Sequence, residues 1–309
     1  MAGHVTWIVE HLFLNGLDNM HSETLQKAVR ITNPTIRIAL SEFIGTFFLC
    51  LVGNGAVHCS ALTGGSALQT CFAFGMSVTF GVYISCSGSG GHINPAVSLA
   101  MASLGRLGDT MAANVAMFGV YTLSQIGGAF LSSFFVWFAY SPGEAYLAAA
   151  PHNLSAKDLT GLYATWPTEM YDISPGRLFY DQALGTFILV MVIFATTDSK
   201  NASPGNAAPI VIGIAACVIG LAYGVNGGGG INPARDLGPR LFALCMFGSE
   251  ALSGADTFFW IPLLAPLVGG VVAAFTYLVF ISAHHMEQQE ERQATPQKSD
   301  YVPVQLEGN

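Results

Sequence analysis

The tripeptide Asn-Pro-Ala occurs twice, at Asn94-Pro95-Ala96 and Asn232-Pro233-Ala234, each time after glycines and each time between long apolar segments. Asn is a favoured N-cap, and Pro suits the first helical position because its missing N–H would have no helical partner there. The two sites predict short helices that begin inside the apolar part of the chain, not at its edge. Composition puts that part in a membrane. Of the 309 residues, 52% are hydrophobic and 10% charged, against about 25% charged in an ordinary soluble domain, and mean hydropathy is +0.50.

Six segments reach the roughly 17–25 residues needed to cross a hydrocarbon core: 38–57, 69–86, 111–138, 178–197, 208–225 and 258–282. The expected class is an all-α membrane protein of six transmembrane helices plus two re-entrant half-helices. The 35 glycines suit a tight bundle, since small residues let helix backbones approach where lipid gives no hydrophobic drive. A cytoplasmic segment 1–35 precedes the membrane domain 36–283, and a polar, disordered tail 284–309 follows it, with Thr295 and Ser299 as regulatory candidates. The stretch Val5 to Gly16 carries Glu10 and His11 without a preceding basic region, so it fails the signal-peptide pattern and reads as an interfacial helix or a disordered tail.

Lysine and arginine set the orientation. Lys27, Arg30 and Arg37 precede the first span, Arg106 and Lys200 follow spans two and four, and Arg292 and Lys298 follow span six. With six spans all lie on one face, so both termini are expected in the cytoplasm. The loop 139–177 is then external, and its Asn153-Leu154-Ser155 triplet is a candidate glycosylation acceptor; Asn201-Ala202-Ser203 falls on the cytoplasmic side. Cysteines 50, 59, 71, 86, 217 and 245 show no metal-ligand spacing and are expected to pack. A net charge of -8 gives no reason to expect nucleic acid.

The two halves repeat each other. Ser41-Glu42-Phe43-Ile44-Gly45-Thr46-Phe47 resembles Asp181-Gln182-Ala183-Leu184-Gly185-Thr186-Phe187, 140 residues on, and the two Asn-Pro-Ala asparagines are 138 apart. Repeat one spans 36–138 and repeat two 178–283. Each holds an odd number of spans, so the second copy is inverted and the half-helices enter from opposite sides. Irregular backbone at that depth is tolerated only when buried in protein or lining a watery cavity, so a pore through the chain is expected. Each half-helix N-terminus carries roughly half a positive charge, which repels cations and protons at the meeting point. The Asn94 and Asn232 amides can donate to a passing oxygen, and the carbonyls of 88–92 and 226–230 would form an acceptor ladder. Arg235, nearly one turn beyond Asn232, needs either a watery lumen or a partner such as Asp236. Glu42 and Gln182, at equivalent places in the repeats, are expected to hydrogen-bond the pore loops.

Taken together, Gly91-His92-Ile93-Asn94-Pro95-Ala96-Val97, Ile231-Asn232-Pro233-Ala234-Arg235-Asp236-Leu237-Gly238-Pro239-Arg240 and their placement among six spans resemble the aquaporin, or major intrinsic protein, family over about residues 38–282. Asp236, Arg240 and the pair Pro262-Leu263 resemble the aquaglyceroporin branch. The resemblance implies the aquaporin fold, a homotetramer, a plasma-membrane setting, and passage of glycerol and other small neutral solutes alongside water. It also implies a selectivity filter of Phe74, Gly220, Gly229 and Arg235. Phe74 would give an apolar wall for a polyol, Gly220 space opposite a larger group, and Arg235 a fixed donor fork. Gly229 departs from the many relatives that carry a bulkier side chain there, so a wide filter is expected unless Tyr223 or a nearby loop fills the gap. His92 would lie near Glu42 on the cytoplasmic side, where its titration offers pH sensitivity.

The first reading is a passive channel for glycerol, water and other small neutral solutes, with urea or neutral metalloid hydroxides as extras. A water-selective channel is the alternative within the fold. A secondary transporter shares the signature of inverted repeats with broken helices; against it stands the lack of buried acidic residues beyond Glu42 and Asp181. A closed adhesion or junction protein would retain the fold without conducting. No nucleophile with its base, metal cluster or nucleotide fingerprint is present in the sequence, so neither enzyme, cofactor nor metal is expected.

Overall fold

The computed structural model describes residues 22–253 and 258–285. The readings placed on Val5 to Gly16, Thr295 and Ser299 lie outside the described residues. The helices are α1 (Ser22–Val29), α2 (Pro34–Thr63), α3 (Ala67–Ser89), α4 (Pro95–Ser103), α5 (Met111–Ala148), α6 (Ala156–Gly161), α7 (Pro175–Thr197), α8 (Ala208–Gly227), α9 (Pro233–Phe247), α10 (Glu250–Ser253) and α11 (Ile261–Tyr277). Of these, α2, α3, α5, α7, α8 and α11, the last two with their flanking turns, are long and apolar enough to cross a membrane. Helices α4 and α9 are the two short ones that start at Asn94 and Asn232.

The helices overrun the apolar windows, because polar caps rather than the end of hydropathy terminate them. Asn33, Ser66 and Thr110 accept hydrogen bonds from Ile36, Gln69 and Ala113 to open α2, α3 and α5, and left-handed glycines 64, 90 and 228 close α2, α3 and α8. The largest correction is to α5, expected to stop at 138 but continuing through Pro142 to Ala148. Its added turns bury Glu144 and Leu147, so tertiary contacts extend a helix that hydropathy alone would end. His284 and His285, expected to open a disordered tail, instead continue the last helix, and His285 Nδ1 lies 3.4 Å from Asp198.

The bundle is inside out relative to a water-soluble fold. Leu123, Phe138 and Phe280 are more than 70% exposed, whereas Glu42, Gln125, Asp236 and Arg240 are fully buried. Apolar side chains outside and polar ones within is the arrangement a lipid surround favours.

Small residues set the helix crossings, and they do so twice. A Cβ on Gly128 of α5 would lie 2.0 Å from the Phe43 carbonyl oxygen of α2, and one on Gly269 of α11 would lie 2.0 Å from that of Ala183 in α7. These pairs occupy equivalent places in the two halves, as do Gly45 against Ile93 and Gly185 against Ile231. The half-helices are seated the same way: Gly238 of α9 lies on the Ile126 carbonyl of α5, and Gly270 of α11 on the Ala96 carbonyl of α4. The sequence likeness of 41–47 to 181–187 is therefore a likeness of contacts. Gly128→Ala is expected to force α2 and α5 apart at a cost of about 1–3 kcal/mol and to lower the yield of monodisperse protein in detergent. Gly119→Ala, where an added Cβ meets nothing within 4 Å, should leave the yield unchanged.

A candidate pore where two half-helices meet

The two asparagines sit back to back and clasp each other's loops. Asn94 caps α4 by accepting from the Ala96 N–H at 2.9 Å, and its Nδ2 donates to the Ile231 carbonyl at 2.9 Å. Asn232 caps α9 by accepting from Ala234 and Arg235 N–H at 3.0 and 3.2 Å, and its Nδ2 donates to the Ile93 carbonyl at 2.8 Å. Each amide nitrogen has two hydrogens, so one is committed across the junction and the other is left for the lumen that both asparagines line. The half-helix N-termini are thereby fixed head to head.

The loops entering the half-helices are held from within the bundle, unequally in the two halves. Ile93 adopts φ +45°, a strained conformation for a β-branched residue. Fully buried Glu42 pins it there: Oε1 accepts from Ser89 Oγ at 2.5 Å and His92 N at 2.9 Å, while Oε2 accepts from Ile93 N and Gln125 Nε2, both at 2.7 Å. In the second half Gln182 donates to the Gly227 carbonyl at 3.1 Å, and left-handed Gly228 and Gly229 make the turn that Ile93 and its glycines make in the first.

A cavity of about 1330 Å³ passes this junction. Its lining runs from Ala67 to Cys86 along α3, about 30 Å at 1.5 Å per residue, which matches the thickness of a hydrocarbon core. His92 lines it on one side of the asparagines; Phe74, Gly220, Gly229 and Arg235 line it as well, with Thr165 and Trp166 of the 162–174 connection. Arg235 is only 9% exposed. Its Nη1 donates to the Tyr163 carbonyl at 3.0 Å, and its guanidinium carbon lies 4.6 Å from the centroid of the Phe74 ring, a cation–π contact. That ring in turn lies against Gly53, where a Cβ would come within 2.2 Å of it.

Asp236 is the partner of Arg240, not of Arg235. Arg240 Nε and Nη2 reach Asp236 Oδ1 and Oδ2 at 2.7 and 3.0 Å, and both residues are fully buried. Thr165 N and Oγ1 donate to the same carboxylate at 2.9 and 2.5 Å, and Arg240 also donates to the Thr165 and Ala251 carbonyls. Of the two alternatives left open for Arg235, a lumen or a pair with Asp236, the structure shows the lumen, and the Asp236 pair that forms instead locks residues 163–166 onto α9. These residues were read from sequence as external loop, yet residues 162–165 are buried.

The glycines differ from expectation in detail. A Cβ on Gly229 would meet only the Gly224 Cα, at 3.9 Å, so the space beside it is open, and Tyr223 packs into the core cluster with Leu189 and Tyr277 instead of filling it. Its φ of +65° adds backbone strain to any bulkier residue there. Gly220 lines the cavity next to Cys71, whose Sγ would be 3.0 Å from a Cβ on it, so one of the cysteines expected merely to pack also lines the cavity. Part of the expected carbonyl ladder is already engaged. Ser89 O accepts from Tyr121 Oη, Asn226 O from Thr168 N, Gly227 O from Gln182, and Gly229 O from Ile231 N. His92 stacks on Tyr121 at 4.6 Å with Nδ1 3.1 Å from Ser98 Oγ. Asn153 is exposed at φ +50°, and Ser155 of its triplet caps α6 with Asp158.

Two buried carboxylates go beyond the two expected from the sequence. Besides Glu42 and Asp181, Glu144 and Asp236 are buried. Glu144 contacts His58 Nε2 at 2.9 Å and accepts from the Tyr163 hydroxyl. The signal was two ionisable residues in or beside apolar helices, which by default mark function, but Glu144 had been assigned to a loop.

Residues 29–277 match the family described as Major intrinsic protein. The chain belongs to that family, in its aquaglyceroporin branch. It is 37% identical to human aquaporin-9 over 254 residues, covering 80% of this chain and 83% of that one. It is 35% identical to aquaglyceroporin-2 of Rhizophagus irregularis over 243 residues, covering 77% and 74%. The X-ray structure of the aquaglyceroporin from Plasmodium falciparum superposes with a TM-score of 0.71 at 29% identity, covering 82% of this chain and 99% of that one. Membership places the chain among membrane channels rather than enzymes.

In a family member with so short a junction, the Glu42 contacts should be sensitive to a single atom. Glu42→Gln turns one acceptor into a donor facing donors, stranding about two of them at roughly 2–4 kcal/mol in all. A lowered melting temperature in detergent and a lower glycerol flux per folded protein are expected, and unchanged values of both would contradict this role.

Proposed function

We propose that the chain is a passive channel for glycerol, water and other small neutral solutes, urea among them, and that it excludes ions and protons. The observation that carries this reading is the pair of half-helix N-termini clasped through Asn94 and Asn232 beside one membrane-length cavity, in a member of the aquaglyceroporin branch. Two aligned partial positive charges oppose a cation at that point, while a hydroxyl can accept from the remaining amide hydrogens. Arg235 and Phe74 then present a donor fork and an apolar face side by side, which fits the polar and carbon edges of a polyol. Gly220 and Gly229 complete this selectivity filter. The buried carboxylates of Glu42, Glu144, Asp181 and Asp236 each accept from protein donors, which leaves them poorly suited to carry a coupling proton.

In this reading repeat one (36–138) and repeat two (178–283) form one channel domain, 36–283. The Lys27, Arg106 and Lys200 side faces the cytoplasm with both termini. Arg235, Trp166 and the exposed Asn153 acceptor face outward, in the plasma membrane, in a homotetramer. His92, stacked beside the lumen, is the group through which cytoplasmic pH would act.

Shrinkage and reswelling of proteoliposomes in glycerol, urea and sorbitol tests the reading. Fast reswelling in glycerol with little in sorbitol is expected; reswelling no faster than in empty vesicles would overturn it. Gly229→Asn adds a side chain with the least strain a non-glycine residue meets at a left-handed φ, and it should slow glycerol more than water. Equal slowing of both would remove Gly229 from the filter.

A further inference from the structure

Arg235 is fixed by a backbone carbonyl, and that carbonyl belongs to a residue whose side chain is itself anchored. Tyr163 accepts from Arg235 Nη1 through its carbonyl oxygen at 3.0 Å and donates from its hydroxyl to Glu144 Oε1. The same carboxylate oxygen lies 2.9 Å from His58 Nε2, and His58 Nδ1 lies 2.8 Å from the Asn54 carbonyl oxygen. His58 is 1% exposed, Glu144 5% and Tyr163 0%. The His58 and Tyr163 rings meet edge to face at 4.8 Å.

The chemistry of this cluster is constrained. A carbonyl can only accept, so His58 Nδ1 carries a hydrogen. The Nε2 to Oε1 contact then needs one further proton between imidazole and carboxyl, and whichever group holds it, the pair is neutral overall. A neutral, hydrogen-bonded pair of this kind is tolerable in a buried place, whereas either partner alone would not be. It joins α2 and α5 to the 162–166 segment, three parts of the chain that the Arg235 carbonyl bond does not itself connect.

We infer that His58, Glu144 and the Tyr163 hydroxyl are positioning residues for the permeation filter, setting through the Tyr163 backbone where the Arg235 fork stands and hence how large a polyol passes. This rests on the reading of Arg235 as the filter arginine. Neither His58 nor Glu144 lines the cavity, so their effect on selectivity has to pass through Tyr163. The holds from Asp236 and Arg240 act at Thr165, and the Tyr163 and Ala164 N–H groups both donate to the Thr160 carbonyl at 3.0 Å; of these hydrogen bonds, the one from the Tyr163 hydroxyl is what ties this turn to α5.

The test compares wild type with Tyr163→Phe, Glu144→Leu, the double variant, Glu144→Gln and Arg235→Ala in proteoliposomes. The readout is the permeability to erythritol divided by that to glycerol, a ratio independent of the amount of folded channel. Tyr163→Phe removes one oxygen and keeps the buried ring, so it spares the packing. The ratio is expected to rise roughly three- to tenfold in Tyr163→Phe and Glu144→Leu, in line with loss of one hydrogen bond. The double variant should match the singles because the same bond is lost, and Glu144→Gln, which keeps an acceptor for the phenol, should return toward wild type. Unchanged ratios in Tyr163→Phe and Glu144→Leu, with Arg235→Ala shifted, would overturn the positioning role alone. An unchanged ratio in Arg235→Ala would overturn the filter reading beneath it.

Discussion

The structure depends on one reciprocal pair of hydrogen bonds, Asn94 Nδ2 to the Ile231 carbonyl and Asn232 Nδ2 to the Ile93 carbonyl. A chain that breaks its helices inside a hydrocarbon layer must satisfy the exposed backbone groups itself. Here each asparagine does so for both halves at once, capping its own half-helix with Oδ1 and tying off the opposite loop with Nδ2. The arrangement needs the two loops in contact, and that fixes the rest: glycines where the half-helices press on α5 and α11, and a buried acceptor, Glu42, to hold Ile93 in a conformation it would not adopt alone.

The inverted repeat supplies two copies of each device without making them identical. Gly128 and Gly269, Gly45 and Gly185, and the Thr46 and Thr186 hydroxyls bonded to the carbonyls four residues back are matched pairs of structural contacts. The polar residues have diverged. Glu42 gathers four donors around the first loop, while Gln182 gives one bond to the second and lets glycines make the turn. Arg235 and the Asp236–Arg240 pair occur on the second half-helix only, where they engage residues 163–166. The asymmetry gives the cavity two different linings, one with His92, which stacks on Tyr121, and the other with Arg235, Phe74 and Trp166.

Much of this was legible in the chain because it is carried by local signals. Asn-Pro marks a helix start, six apolar runs mark the spans, and the likeness of 41–47 to 181–187 marks the duplication. What was not legible came from tertiary contacts. Helix α5 runs ten residues past its apolar window because Glu144 and Leu147 find burial there. Residues 164–166, with no strong periodicity, become part of the cavity wall because Asp236 and Arg240 bind the Thr165 backbone. Which residue Asp236 pairs with was open in the sequence; at four residues' separation Arg240 is the well placed partner on a helix. That Cys71 lies beside Gly220 at the cavity was not legible because Cys71 comes from another span.

Selective passage of neutral solutes through a junction that holds two helix N-termini together is tested most directly by measuring solute flux and ionic current on the same preparation. Glycerol permeability well above that of empty vesicles, unaltered by imposed proton or sodium gradients and with no added conductance in planar bilayers, is the expected result. Glycerol uptake that saturates and follows an ion gradient, or an ionic current that scales with the protein incorporated, would contradict it.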